Sequence, residues 1–295
     1  MLPNMKFYIV SIASIFLALA IGIYIGFSLN SKDFLIEQKE GIVEGLEKQF
    51  ADLRSENDNL KNEMEGLEKE NQLYKDFSKA VYPEVIKNKL NGIKIAIIET
   101  TDDYVYSGLG QDLKMAGGNV VSITTIKDDF DDEEFLKKIY ENHNIAKKEG
   151  KSYVQQAMED LTNYIITSEK SPIIDYLNED NIIGTVGEYN EPVDYIIVAG
   201  GANTEDPNRV NLIDKEIIEF AKKNNIPVIG IEKENVNYSY ISYYKDLRIT
   251  TVDNADTIMG KTALILAMEG RPGNYGVKST SEELIPNVNY PITNE

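Results

Sequence analysis

A membrane-length apolar run that passes without a proline into a polar heptad segment constrains this chain more than any other feature. From Phe7 to Asn30 no residue is charged. As a helix, Phe7 to Leu29 covers roughly 35 Å, slightly more than a hydrocarbon core of about 30 Å, so it is long enough to span a bilayer with modest tilt. A cleaved signal peptide is the competing reading, since Lys6 precedes the run and Ala18-Leu19-Ala20 has the small-x-small spacing of a cleavage site. Against it, Ile21, Ile23, Tyr24, Ile25, Phe27 and Leu29 continue the apolar stretch past that site. Lys6 before the span places the N-terminus in the cytoplasm and the rest of the chain outside it, although Lys32 beyond the span weakens the bias. Within the span Ser14, Ala18, Gly22 and Gly26 recur every four residues. This small-residue stripe lets two helix backbones approach closely.

The heptads follow at once. With Leu46 at d, the a positions are Ile36, Val43, Phe50, Asn57, Met64 and Asn71, and the d positions are Lys39, Leu46, Leu53, Leu60, Leu67 and Tyr74. A seam that repeats every 3.5 residues over five heptads marks a coiled coil rather than a globular surface helix. Gly41, Gly45 and Gly66 each cost about 1 kcal/mol in helix propensity but fall at f and c positions. Asn57 and Asn71 at a positions set register and favour two strands, because each amide can pair with its symmetry mate. In a parallel dimer Glu56 faces Lys61 and Glu70 faces Lys75, whereas Glu63 opposite Glu68 is repulsive. The expected organisation is a transmembrane signal anchor over 1–30, a coiled-coil stalk over 31–81, an extracytoplasmic α/β domain over 82–272 and a tail over 273–295.

Tyr82-Pro83 is expected to end the long helix. Beyond it, strands are expected at 94–98, 119–125, 194–199, 226–231 and 247–252. They alternate with helices from about Ser107 to Ala116, Ala146 to Ser168, Val210 to Lys222 and Ala255 to Met268. This alternation predicts a doubly wound, mostly parallel sheet. The net charge of −19 argues against nucleic acid and anionic lipid surfaces as partners. No cysteine is present, which removes disulfides, thiolate metal sites and cysteine nucleophiles.

Ligands of such folds sit at the carboxyl ends of strands, so the candidate crevice comprises Glu99, Thr100, Thr101, Gly200, Gly201, Glu232, Asp253 and Asn254. These carboxylates suit a cation or acid–base work, and equally the capping of the next helix. The acidic run Asp128, Asp129, Asp131, Asp132, Glu133 and Glu134 reads as the first turn of a helix more readily than as a hard-cation site. Gly200-Gly201 lacks the three-glycine dinucleotide fingerprint, no Walker lysine follows, and no nucleophile elbow accompanies His143, which is expected to be solvated. Neither a cofactor nor an enzymatic activity is expected.

Two stretches carry a resemblance. Ile9 to Gly22 (IVSIASIFLALAIG) resembles the opening of the mycobacterial copper transport protein B family (MctB), called SteB in corynebacteria. Thr251 to Thr257 (TVDNADT), Gly260 to Leu264 (GKTAL) and Gly273 to Gly276 (GNYG) are similar to its C-terminal signature. The resemblance implies copper handling at the cell envelope and, for the corynebacterial members, a partner protein in division and envelope assembly. The ligand inventory supports copper poorly, because Met64, Met115, Met158, Met259 and Met268 are scattered and His143 is the single histidine. The sequence therefore reads as a dimeric envelope scaffold, with a copper transport or efflux component as the alternative.

Overall fold

The structure is a computed structural model that describes residues 5–106 and 108–287. Ser107, expected to open the second helix, and residues 288–295 of the expected tail lie outside the described residues. So do the side chains of 29–35, 37 and 38. The chain divides into two compact units, Met1–Lys75 and Asp76–Glu295.

Helix α1 (Met5–Ile86) is continuous over 82 residues. Its segment Met5–Ser28 has a mean hydropathy of 2.4 and none of it is buried. The heptad segment is helical throughout, and its glycines leave open space around the backbone. The expectation that Tyr82-Pro83 ends this helix is wrong by one turn. Pro83 lies inside α1 and its carbonyl accepts the Lys87 amide at 3.1 Å. Proline removes one donor, but Tyr82, Ile86 and Leu90 are buried in a core cluster of the second unit. Burial of such side chains is worth about 1.5 to 3 kcal/mol each, enough to carry the helix past one missing bond.

The second unit is an α/β domain. Its strands are β1 (Lys94–Glu99), β2 (Asn119–Ile126), β3 (Ile183–Gly187), β4 (Tyr195–Ala199), β5 (Val228–Ile231), β6 (Thr250–Val252) and β7 (Asn274–Tyr275). They form one sheet in the order β3-β2-β1-β4-β5-β6-β7, parallel except for the antiparallel pair β2–β3. The helices are α2 (Leu109–Met115), α3 (Glu133–Asn142), α4 (Tyr153–Thr167), α5 (Ile173–Glu179), α6 (Pro207–Leu212), α7 (Asp214–Lys223), α8 (Ile241–Asp246) and α9 (Ile258–Met268). Strand alternation sends Ala96, Ile98, Ile196 and Val198 to one face, under residues of α3, α4, α5, α7 and α8. Ile95, Ile97, Ile197 and Ile229 go to the other face, under α2, α9 and the last turns of α1. The sheet is thus covered on both faces, as its continuous apolar strands require.

Three expected boundaries move. The helix expected from Ala146 begins only at Tyr153, because Gly150 takes φ +78° and Ser152 and Gln155 form a capping box. The helix expected over Val210–Lys222 is two helices that meet at Ile213, the C-cap of α6 and N-cap of α7, beside which Asp214 enters the core. The stretch after Arg271, read as a tail of little periodicity, supplies β7 and packs Tyr275 into the core.

Candidate functional site

The chain order of the sheet reverses between β1 and β4. From β1 the connection runs outward to β2, and from β4 it runs the other way through β5, β6 and β7. The loops at this switch point splay apart and leave a crevice outside the carboxyl ends of the strands. A crevice of about 200 Å³ lies there. Thr101 and Asp103 line it from the end of β1, Asp128 and Asp131 from the end of β2, and Thr204 and Asp206 from the end of β4. Arg209 and Tyr240 complete its wall.

The residues expected at the strand ends are there, but they turn inward. Glu99 accepts the Tyr106 amide on Oε1 and the Thr125 hydroxyl on Oε2. The Tyr106 hydroxyl in turn donates to the Gly200 carbonyl and accepts the Lys233 amide. Gly200 is required by close approach: a Cβ there would lie 2.0 Å from the Tyr244 hydroxyl oxygen. The Gly201 carbonyl accepts the Thr101 hydroxyl. Glu232, fully buried, is paired with Lys278 and accepts from Ser239 Oγ and the Tyr240 amide. Burial nevertheless holds its carboxyl above the usual range, against the pull of Lys278 and Ser239.

Asp253 accepts from the amides of Val277 and Lys278 and from Ser281 Oγ. Gly276, at φ +137°, makes room for it, since a Cβ there would stand 1.9 Å from Asp253 Oδ1. Asn254 is fully buried, and its side-chain amide has no hydrogen-bond partner among the described residues. Its backbone carbonyl accepts both the amide and the hydroxyl of Thr257, which N-caps α9. Glu99 thus secures the loop after β1, whereas Glu232 and Asp253 tie down the segment after β7. None of the expected residues except Thr101 lines the crevice.

Sequence reasoning missed Arg209, Tyr240 and Asp214. The Arg209 guanidinium is buried and bridges the loops after β1 and β2, donating to the carbonyls of Thr100, Lys127 and Asp128. It also lies 3.3 Å from Asp131. Asp214 is fully buried, accepts from Thr100 and Tyr244, and has its carboxyl pushed up by burial to about 6. Tyr240 is 2% exposed, and its hydroxyl has no hydrogen-bond partner among the described residues. The available signal was a proline-opened helix after a strand-end Asp, Asp206-Pro207, whose Asp206 caps α6 and so aims Arg209.

The acidic run divides its work. Asp132 caps α3, Glu133 accepts the first amides of α4, Asp131 faces Arg209, and Asp128 stays at the crevice. His143 is exposed and stacked on Tyr176 at 3.4 Å between ring centroids. Among the described residues, no three His, Cys, Asp or Glu side chains are arranged to hold a metal ion.

The family model described as "Copper transport outer membrane protein, MctB" matches residues 2–286. No curated protein matches the chain.

Proposed function

The chain belongs to the MctB family, and from that premise we propose that it is a single-pass, dimeric envelope scaffold whose stalk holds the α/β domain outside the cytoplasm for a partner protein. The observation that carries this reading is the stalk seam. Leu46, Phe50, Leu53, Leu60, Met64 and Leu67 lie in one a/d row of α1, and each is between 48% and 61% exposed in the single chain. Isolated proteins do not leave so long an apolar row in water. A second copy in parallel covers it, pairs Asn57 with Asn57 and Asn71 with Asn71, and brings Glu56 to Lys61 and Glu70 to Lys75. The Ala18, Gly22 and Gly26 stripe continues the same contact through the membrane. SteB-like engagement of a division or envelope partner fits a stalk of this kind.

In this reading the domain is not an enzyme. Glu99, Glu232 and Asp253, the carboxylates best placed for acid–base work, are occupied in holding backbone amides. The mass of the fragment from Ser31 to Lys79, with and without the domain, tests the dimer. A twofold mass of both fragments is expected, and monomers at tens of micromolar would assign the seam to a different chain.

The family description favours a second reading, a copper transport or efflux component. Copper titration of the full chain separates the two. We expect weak, non-stoichiometric uptake by surface carboxylates, because the sequence has no cysteine and a single histidine to offer as soft ligands. A stoichiometric site of sub-micromolar affinity, lost on replacing His143 or one methionine, would put transport first.

A further inference from the structure

We infer that the α/β domain binds a neutral saccharide, one pyranose ring of which lies in a cleft at the β3 edge of the sheet, against the ring of Tyr164. The cleft shares no lining residue with the strand-end crevice, and its occupation does not depend on dimerisation of the stalk.

The cleft encloses about 330 Å³, within the range of small-ligand sites. Its walls come from α4, α5, β3 and the loop between β3 and β4. Tyr164 of α4 and Tyr189 of that loop form an aromatic corner, with ring centroids 4.7 Å apart and planes inclined at 59°. Tyr189 is buried and serves as backing, whereas Tyr164 is half-buried and lines the cleft with surface to offer.

A chain of hydrogen bonds fixes this corner and ends at the cleft. The Thr124 hydroxyl donates to Tyr189 at 2.7 Å, Tyr189 to Thr185 at 3.0 Å, Thr185 to Asn178 Oδ1 at 3.2 Å, and Asn178 Nδ2 to the Ile174 carbonyl at 3.0 Å. Each hydroxyl in it both accepts and donates, so the chain holds one direction and sets the Asn178 amide, which keeps one N–H for a ligand. Across the cleft Asn190 donates to Glu188 Oε2 at 3.2 Å, which leaves the Asn190 carbonyl and Glu188 Oε1 as acceptors. Asn178, Glu188 and Asn190 are exposed, so a ligand reaches them without any part of the fold opening. Oriented donors and acceptors on planar groups match sugar hydroxyls, each of which both gives and takes a hydrogen bond.

The lining also decides among ligand classes. It holds two carboxylates, Asp175 and Glu188, and no lysine, arginine or histidine, so phosphates and carboxylates are disfavoured. Asp175 already has Lys170 as its counter-ion at 2.7 Å, so a cation gains little there. Ile174, itself buried, is the single aliphatic residue of the lining, too little for an acyl chain. A neutral polyol with one apolar face fits what is left. A pyranose has that form, since its axial C–H groups meet the negative face of an aromatic ring while its hydroxyls surround the edge.

The test is saturation-transfer NMR on the full chain in nanodiscs. Glucose, galactose, mannose and N-acetylglucosamine are the monomer probes, cellotetraose and chitotetraose the chain probes, and tetramethylammonium the control. Saturable binding of at least one sugar is expected, with the strongest transfer to C–H protons on one face of its ring. A tetramer that binds more tightly than its monomer reads a glycan chain as the source, and equal affinities read a single sugar; both support the assignment. Tyr164→Ala should weaken binding about fivefold, while Tyr164→Phe, which keeps the ring, should stay within about twofold. Asn190→Ala should weaken it about threefold with no change in thermal melting, because that side chain is exposed, and it remains informative if Tyr164→Ala disturbs the edge of the domain. No saturable signal from any of these sugars, affinity unchanged by both alanine substitutions, or tetramethylammonium binding more tightly than every sugar would overturn the inference.

Discussion

The two units treat the same kind of side chain in opposite ways. In the first, Leu53 and Leu60 are 61% and 54% exposed on a single helix, whereas in the second Ile97, Ile98 and Ile197 are fully buried. The difference lies in what surrounds each stripe. A strand that alternates apolar side chains to both faces of a sheet finds helices on both sides, so its burial is completed within one chain. A heptad seam has its complement only in another helix. An apolar residue left exposed by its own fold in a regular row is thus a statement about a second molecule. The one lost turn of accuracy at Pro83 fits this contrast, because the last turns of α1 change from the second kind of burial to the first.

Removing layers from the seam tests the contrast most severely. Leu53→Ala with Leu60→Ala deletes two d layers, each worth about 2 to 5 kcal/mol if packed as a core. Sedimentation should show the stalk dissociating while thermal melting of the α/β domain stays where it was. A domain that melts earlier would show that the seam is part of its own core.

The converse substitution is Ile98→Ala, which opens a cavity under the sheet and should cost about 2 to 5 kcal/mol. Denaturant unfolding of the domain reads it directly. The mass of the assembly in solution should not change.

A slightly smaller effect concerns Asp214, buried between Thr100 and Tyr244. Its carboxyl is raised from 3.8 to about 6 in the fold, so folding favours the protonated form. That contribution is fully present below about pH 4 and is lost as pH rises through about 6, and two units correspond to roughly 3 kcal/mol. Asp214→Asn should flatten domain stability between pH 4 and 7, measured by urea unfolding at each pH. The stalk, whose described carboxylates are exposed, should show no matching slope.

The smallest change per residue is expected at Asn57 and Asn71. In the proposed dimer, replacing both with isoleucine removes two amides from the seam and should strengthen association by about 1 to 3 kcal/mol per layer. It should also admit trimers or shifted registers, visible as mixed masses. Tighter association with mass held strictly at two chains would show that other residues set the register.

Much of this architecture follows from local pattern. The apolar run, the heptads and the strands β1, β2, β4, β5 and β6 are legible because each writes its period into a few consecutive residues, as Lys94-Ile95-Ala96-Ile97-Ile98 does. The rule that ligands meet the carboxyl ends of strands singled out one end of the sheet, where Glu99, Gly200, Glu232 and Asp253 stand. It did not say which side chains face outward.

What only the tertiary structure decided has a common cause, which is partnership at long sequence distance. β3 and β7 carry Gly184, Thr185 and Gly187, and Asn274, so neither has the apolar density of a buried strand, and each exists because β2 or β6 offers it an edge. Pro83 stays helical because Tyr82 and Ile86 reach a core built from residues far along the chain. Glu99, Glu232 and Asp253 are spent on backbone amides 7 to 25 positions away. The crevice itself joins Asp128 to Arg209 and Tyr240, separated in the chain by helices and strands. Periodicity describes which face a residue occupies, but which residue stands opposite depends on the order in which strands enter the sheet, and that order is set by the packing of the whole domain.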